Sequence, residues 1–221
     1  MDDPASDIAQ LYRTLDQFRH INALLSRSRA LLLSLVVPHM LRASRAVTVL
    51  DVGAGGCDID SWLYRACRRR GIPVRIVCVD HDPRVVAYAR RRIAGQPGLS
   101  IELADAREIC RERRFDYVFA NHFLHHFPDS QAPEMLSLIS GAATRGFLVN
   151  DLHRDLLSYF AYTLFAAATM RQSFAFYDGR MSIRKGFRAA ELRGIARRAG
   201  VDARIERRLP GRIVMYRLSA D

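Results

Sequence analysis

Residues 49–60 read VLDVGAGGCDID. An apolar β-branched run ends on an acid, Asp51, and is followed by Gly53, Gly55 and Gly56, then by Asp58 and Asp60. A glycine cluster between a strand and a helix lets backbone approach a ligand closely, and the usual guest is a phosphate on the helix N-terminus. Here carboxylates ring the loop, so the guest has to suit negative charge.

The chain around this stretch alternates strands and helices. AVTVLDV (46–52) reads as a buried strand, 58–70 as a helix stopped by Gly71, and PVRIVCVD (73–80) as a second strand. DPRVVAYARRRIA (82–94) reads as a helix with Asp82 as N-cap and Pro83 in its first position. LSIELADA (99–106), FDYVFANHF (115–123) and RGFLVND (145–151) supply three more strands, with a helix at 132–142 before the last. An apolar helix follows at 152–170, a loop or lid at 171–187, a helix at 188–200 closed by Gly200, and a β-hairpin at 203–218 turning at Pro210–Gly211. Upstream, Leu11, Leu15, Phe18, Ile21 and Leu25 form one apolar stripe in a helical segment spanning 8–42.

This order predicts an α/β fold: a Rossmann-like, mostly parallel seven-stranded sheet with a C-terminal antiparallel hairpin. A helical N-terminal cap and an apolar helical lid complete it. One domain is expected over 1–221: cap 1–44, cofactor-binding core 45–151, lid and substrate segment 152–187, and C-terminal helix and hairpin 188–221.

The bulk numbers narrow the function. The formal net charge is +11, which invites a nucleic-acid partner. Only Lys185 among the 34 basic residues is lysine, however, and clusters such as Arg68–Arg70 and Arg90–Arg92 fall at helix ends, where the dipole favours cations. Nucleic acid is therefore disfavoured. Cys57, Cys67, Cys78 and Cys110 show neither a CxxC pair nor a short ligand spacing, so no metal site is expected. The acidic start MDDPASDIAQ lacks the apolar core of a secretion signal, and the expected setting is reducing and cytoplasmic. The uncharged run 156–170 has 15 residues, short of the ~20 needed to span a bilayer. It leaves peripheral membrane contact and a homodimer as open roles.

In a doubly wound sheet the ligand lies at the carboxyl ends of the strands. Asp51, Asp80 and Asp105 stand at three of those ends. A dinucleotide would need a glycine where Asp58 stands, and a carboxylate facing pyrophosphate is costly. S-adenosyl-L-methionine fits better: it has no phosphate, its sulfur is a cation, and its methionine end carries an ammonium.

The motifs VLDVGAGGCDID, VCVDHDP, ELADARE and FDYVFANHFLHHFPD resemble, in order and spacing, those of class I S-adenosylmethionine-dependent methyltransferases over residues 46–150. FRHINALL, VNDLHRD and YDGRMSIRKGFRAAEL are similar to a bacterial small-molecule branch. That branch includes ubiquinone/menaquinone-type enzymes and those found beside type III polyketide synthases. Cys57 departs from the third glycine of many members. The resemblance implies a cofactor pocket lined by Asp51, Gly53, Ala54, Gly55, Asp80, His81, Asp105, Ala106 and Asn121, with Asp80 on the ribose hydroxyls and Asp105–Ala106 at the adenine edge. S-adenosyl-L-homocysteine would be the product.

Methyl transfer from a sulfonium is an in-line displacement that needs alignment and exclusion of water, and a hydroxyl acceptor gains from a base. His122, His125 and His126 would share a face on a helical turn after the fourth strand. His126, His125 and His153 are the candidate bases; alternatively they pack and hydrogen-bond, His153 to Asp151 or Asp155. Asp60 reads as a first-turn helix acid. Asn121-His122-Phe123-Leu124 lacks the two prolines of base-methylating relatives. The expected acceptor is a small, hydrophobic, aromatic hydroxyl or ring carbon. An RNA methyltransferase and a non-catalytic binding scaffold remain the alternatives.

Overall fold

The structure, a computed structural model, describes residues 6–170 and 173–219. Seven strands carry the frame: β1 Val47–Val52, β2 Val74–Asp80, β3 Leu99–Leu103, β4 Phe115–Asn121, β5 Ala143–Leu152, β6 Arg204–Arg208 and β7 Arg212–Leu218. Their order is β3-β2-β1-β4-β5-β7-β6. The first five run parallel, and β7 enters antiparallel between β5 and β6. The chain steps outward from β1 in one direction to β3, then restarts at β4 on the other side. A crevice opens where the order reverses, at the carboxyl ends of β1 and β4.

The helices are α1 Ile8–Leu24, α2 Ser28–Leu31, α3 Val37–Met40, α4 Asp58–Arg68, α5 Pro83–Ile93, α6 Ala106–Glu112, α7 Ala132–Ala142, α8 Leu156–Thr169, α9 Ala175–Lys185 and α10 Ala189–Arg198. Strand side chains alternate between faces. Val49, Ile76, Cys78 and Phe119 bury against α3, α4 and α5, while Leu50, Val77, Val118 and Val149 bury against α6, α7 and α10. Asp51 follows the parity of Val49 and so points toward α4. Asp151 follows Val149, onto the opposite face.

Four elements differ from the sequence reading. The segment 8–42 is not one helix: it breaks at Arg27, whose φ is +61°, and resumes as α2, a π-helical turn Leu32–Val36, and α3. Two serines cause the break by competing for backbone. The Ser28 N–H donates to Ser26 Oγ, and Ser28 Oγ donates to Asn121 Oδ1. The third strand stops at Leu103, and α6 follows, with the Asp105 carboxylate capping the Arg107 N–H at 2.7 Å. Asp105 and Glu108 form the Asp-x-x-Glu signature of a helix start. The fifth strand extends to Leu152, and α8 begins only after Asp155, which caps the Ser158 N–H at 2.8 Å. Finally, 175–185 is helix rather than loop. Gly179 sits inside it because a Cβ there would lie 2.0 Å from the Tyr162 hydroxyl of α8. That hydroxyl donates to the Ala175 carbonyl at 2.6 Å.

Candidate active site

A cavity of about 990 Å³ fills the crevice. The glycine loop after β1 forms its floor, the ends of β2, β4 and β5 its back, and α1, α8 and α9 its outer walls. Asn121 ties the wall to the sheet: its Oδ1 accepts from Ser28 Oγ at 2.7 Å and from Asn150 Nδ2 at 2.9 Å.

The loop after β1 turns on three left-handed residues, Gly53 (φ +70°), Gly55 (φ +55°) and Cys57 (φ +53°). A Cβ on Gly53 would stand 2.4 Å from the Phe123 ring. Gly53→Ala combines that clash with a left-handed alanine, which costs about 1–2 kcal/mol. The expected result is a lower melting temperature together with weaker binding of any ligand on the loop, read by thermal melts and calorimetry.

The acids around the loop divide into two kinds. Asp51 and Asp60 are both buried, at 2% exposure, and face each other. Asp60 is thus not a solvated helix-start acid: strand parity turns Asp51 onto α4, and Asp60 lies on the inner side of that helix. Burial, and then repulsion from Asp60, raises Asp51 well above the carboxylate range. Burial pushes Asp60 up to about 6, against a hydrogen bond with Asp51 that lowers it. The pair therefore holds a proton in a near-neutral site.

A raised carboxyl is neutral without penalty below its ordinary value, and the folded state loses stability as pH rises through about 6. Asp60→Asn keeps the hydrogen bond and removes that titration. It is expected to raise the melting temperature by several degrees at pH ~8 and to flatten its decline between pH ~4 and ~6, as read by calorimetric melts. Cys57 and Cys78 lie in the same cluster, their sulfurs and an Asp60 oxygen all within 4.8 Å of one another. Burial pushes the Cys78 thiol well above its ordinary value.

Asp58 and Asp80 line the cavity, as the edge of Asp51 does, whereas Asp60 lies behind it. Asp58 accepts from Asn22 Nδ2 of α1 at 3.2 Å. Asp80 accepts backbone N–H groups from Gly55 and Asp82, each at 3.1 Å. Burial raises Asp80, and those two donors oppose the rise. Asp51 Oδ1 and Asp58 Oδ2 are buried with no hydrogen-bond partner among the described residues. These orphaned acceptors suit a ligand that brings N–H donors or positive charge to the loop.

On the opposite side of the crevice, His125 is buried at 4% exposure. Its Nδ1 lies 2.7 Å from Asp151 Oδ1, and its backbone N–H donates to Asp151 Oδ2 at 3.2 Å. Burial acts to raise Asp151, but His125, through charge and hydrogen bond, and His122 hold it below the usual carboxylate range. An ionised carboxylate only accepts, so the His125 Nδ1–H donates to Asp151 and Nε2 is the nitrogen turned away from it. That nitrogen is buried, and no described residue bonds to it; His125 lines the cavity.

Arg212 of β7 lines the cavity beside this pair, at 5% exposure. Its Nε donates to the Leu25 carbonyl at 3.1 Å, and its Nη1 meets His122 Nε2. Burial lowers Arg212 to about 10, and it stays charged at neutral pH. Burial, then the charge of Arg212, pushes His122 well below its ordinary value, so His122 is neutral.

Of the residues singled out from the sequence, Asp51, Gly53, Ala54, Gly55, Asp80, His81, Asn121, His125 and His126 all line the cavity. His122, His125 and His126 converge there without a shared helical face: His122 is left-handed (φ +54°), and only Leu124–His126 forms a 3-10 turn. His126 is exposed and its ring lies 4.3 Å from that of His125. Three residues fall outside the lining. Asp105 is exposed and caps α6, Ala106 is buried in the core, and Arg107 lines the cavity in their place. His153 bonds Asp155 at 3.0 Å. Arg212 and the His125–Asp151 pairing were not anticipated. Arg212 reads as an ordinary hairpin arginine, and the dyad joins β5 to a turn 26 residues away in sequence.

Residues 49–146 match the family model described as a methyltransferase domain. No curated protein matches the chain. Human N-acetylserotonin methyltransferase in complex with S-adenosylmethionine superposes with a TM-score of 0.68 at 14% identity, over 97% of this chain and 57% of that one. An S-adenosylmethionine-dependent methyltransferase from Aquifex aeolicus gives 0.60 at 14%, over 96% and 97%. Magnesium protoporphyrin IX methyltransferase from Synechocystis PCC 6803, with bound S-adenosylhomocysteine, gives 0.58 at 13%, over 100% and 90%.

The fold is that of the methyltransferases. Residues 49–146 carry the matched methyltransferase domain at the centre of that fold.

Proposed function

We propose that the protein methylates a small, hydrophobic aromatic hydroxyl, with His125 as general base. The observation that carries this reading is the unpartnered Nε2 of His125, oriented by an ionised Asp151 at the back of an apolar-walled cavity.

The residues present fit the cofactor. Asp80, fixed by two backbone donors, keeps lone pairs for ribose hydroxyls. Asp58 offers an unpartnered acceptor to an ammonium, and the Gly53–Gly55 turn gives backbone access. When bound, the cofactor supplies an activated methyl on a positively charged sulfur. The chain does the rest. Phe18 and Leu25 of the cap side and Phe165 of α8 wall the acceptor and keep water out. His125 Nε2 takes the hydroxyl proton, and Asp151 stabilises the imidazolium that forms. Arg212, a buried cation in the same wall, stabilises phenolate character as it develops. His126 stacks at the rim, and His153 is set aside as a base because Asp155 occupies it outside the lining.

The test is transfer of labelled methyl from S-adenosylmethionine to a panel of phenols, quinols and matched aryl ethers. Hydroxyl acceptors are expected to turn over and the ethers to be inert. Transfer to RNA alone would replace this reading.

A further inference from the structure

We propose that the outer face of α8, together with the tip of the β6–β7 hairpin, docks on an anionic lipid surface. This goes beyond the methyl-transfer reading and stands without it.

Helix α8 is apolar on both sides. Its inner side, with Ser158, Tyr162 and Phe165, lines the cavity. Its outer side should be polar if it met only water. Instead it presents Leu156, Leu157, Phe160 and Leu164 at 75, 79, 60 and 74% exposure. At 100° per residue these four fall on one arc, which Ala167 and Ala168, both exposed, continue. The helix holds no charged residue. Exposed apolar area of this size marks a surface that is covered when the protein works.

The hairpin extends the patch and gives it a sign. A Cβ on Gly211 would lie 2.5 Å from Ser158 Oγ, so the hairpin tip abuts the first turn of α8. Leu209 at that tip is 83% exposed. Arg207 and Arg208 beside it are exposed, against Glu206, which pairs with Arg208. A lipid bilayer offers apolar depth for the leucines and anionic headgroups for the arginines at once, which is how an interfacial helix binds. A second copy of this chain would instead bring two bodies of net charge +11 together. At 14 residues, α8 is too short to cross a bilayer and suits lying along its surface.

The test is co-sedimentation of the full chain with two kinds of vesicle, phosphatidylcholine alone and phosphatidylcholine with phosphatidylglycerol, at low and high salt. Analytical ultracentrifugation without lipid runs in parallel. Pelleting is expected on the anionic vesicles, falling with salt. Leu157→Asp/Leu164→Asp should weaken it at least tenfold while S-adenosylhomocysteine binding is unchanged. Arg207→Glu/Arg208→Glu, confined to the exposed hairpin, should abolish the preference for anionic lipid, and it decides the matter if the leucine pair fails to fold. Protein that stays in the supernatant with both vesicles overturns the proposal. Equal pelleting on both overturns its anionic part. A dimer that the leucine substitutions dissociate would make this face a self-interface and overturn the lipid assignment.

Discussion

His125→Ala is expected to lower turnover of a hydroxyl acceptor by about 10²–10⁴-fold, with cofactor affinity changed by less than about twofold. Among the described residues the His125 side chain makes no hydrogen bond to the glycine loop that holds the cofactor end of the cavity. Its only described side-chain hydrogen bond is to Asp151, and its Nε2 is, among the described residues, the unpartnered ring nitrogen buried at the cavity's back. Asp151→Asn should give a loss of similar size, because an amide facing Nδ1 no longer requires the tautomer that leaves Nε2 bare. The Asn variant should also cost stability at neutral pH. Asp151 is lowered in the folded state, so its contribution is present above the ordinary carboxylate value and is lost only as pH falls through its own lowered one. A structural role alone would predict the stability loss without a change in the pH–rate profile. A catalytic role predicts that the ascending limb of that profile disappears in His125→Ala. Unchanged turnover in both variants would reduce the site to alignment of donor and acceptor.

The second large effect is on the cofactor. Asp80→Ala should weaken S-adenosylhomocysteine binding at least tenfold, about 1.4 kcal/mol. Two losses combine: the acceptor for ribose hydroxyls, and the carboxylate that holds the Gly55 and Asp82 N–H groups in place. Asp80→Asn keeps one oxygen for those donors and should fall between wild type and alanine. An intact fold with unchanged affinity in Asp80→Ala would displace the ribose from this carboxylate.

Local patterns carried much of this site. The strand-to-glycine stretch at 49–60 gave the first strand, the loop and, by its acids, a guest without phosphate. Alternation of apolar strands and capped helices gave the parallel sheet and the terminal hairpin. What stayed hidden depended on which residues face each other across the fold. Asp60 looks like a solvated helix acid until strand parity turns Asp51 toward it. The His125–Asp151 pair joins β5 to the turn after β4, a juxtaposition that no local pattern states. The polar and aromatic stretch 171–187 reads as a loop because nothing nearby in sequence shows the Tyr162 ring that Gly179 packs against within a helix. The assignment of Asp105–Ala106 to the adenine edge came from motif position, whereas the Asp105 side chain caps α6 and Arg107 reaches the cavity.

The most direct test of the central claim is calorimetric titration of the protein with S-adenosylhomocysteine and with NADH. The carboxylates around residues 49–60 should admit a ligand with an ammonium and no phosphate, so the account predicts micromolar binding of S-adenosylhomocysteine and none of NADH. Binding of NADH, or of neither, would contradict it.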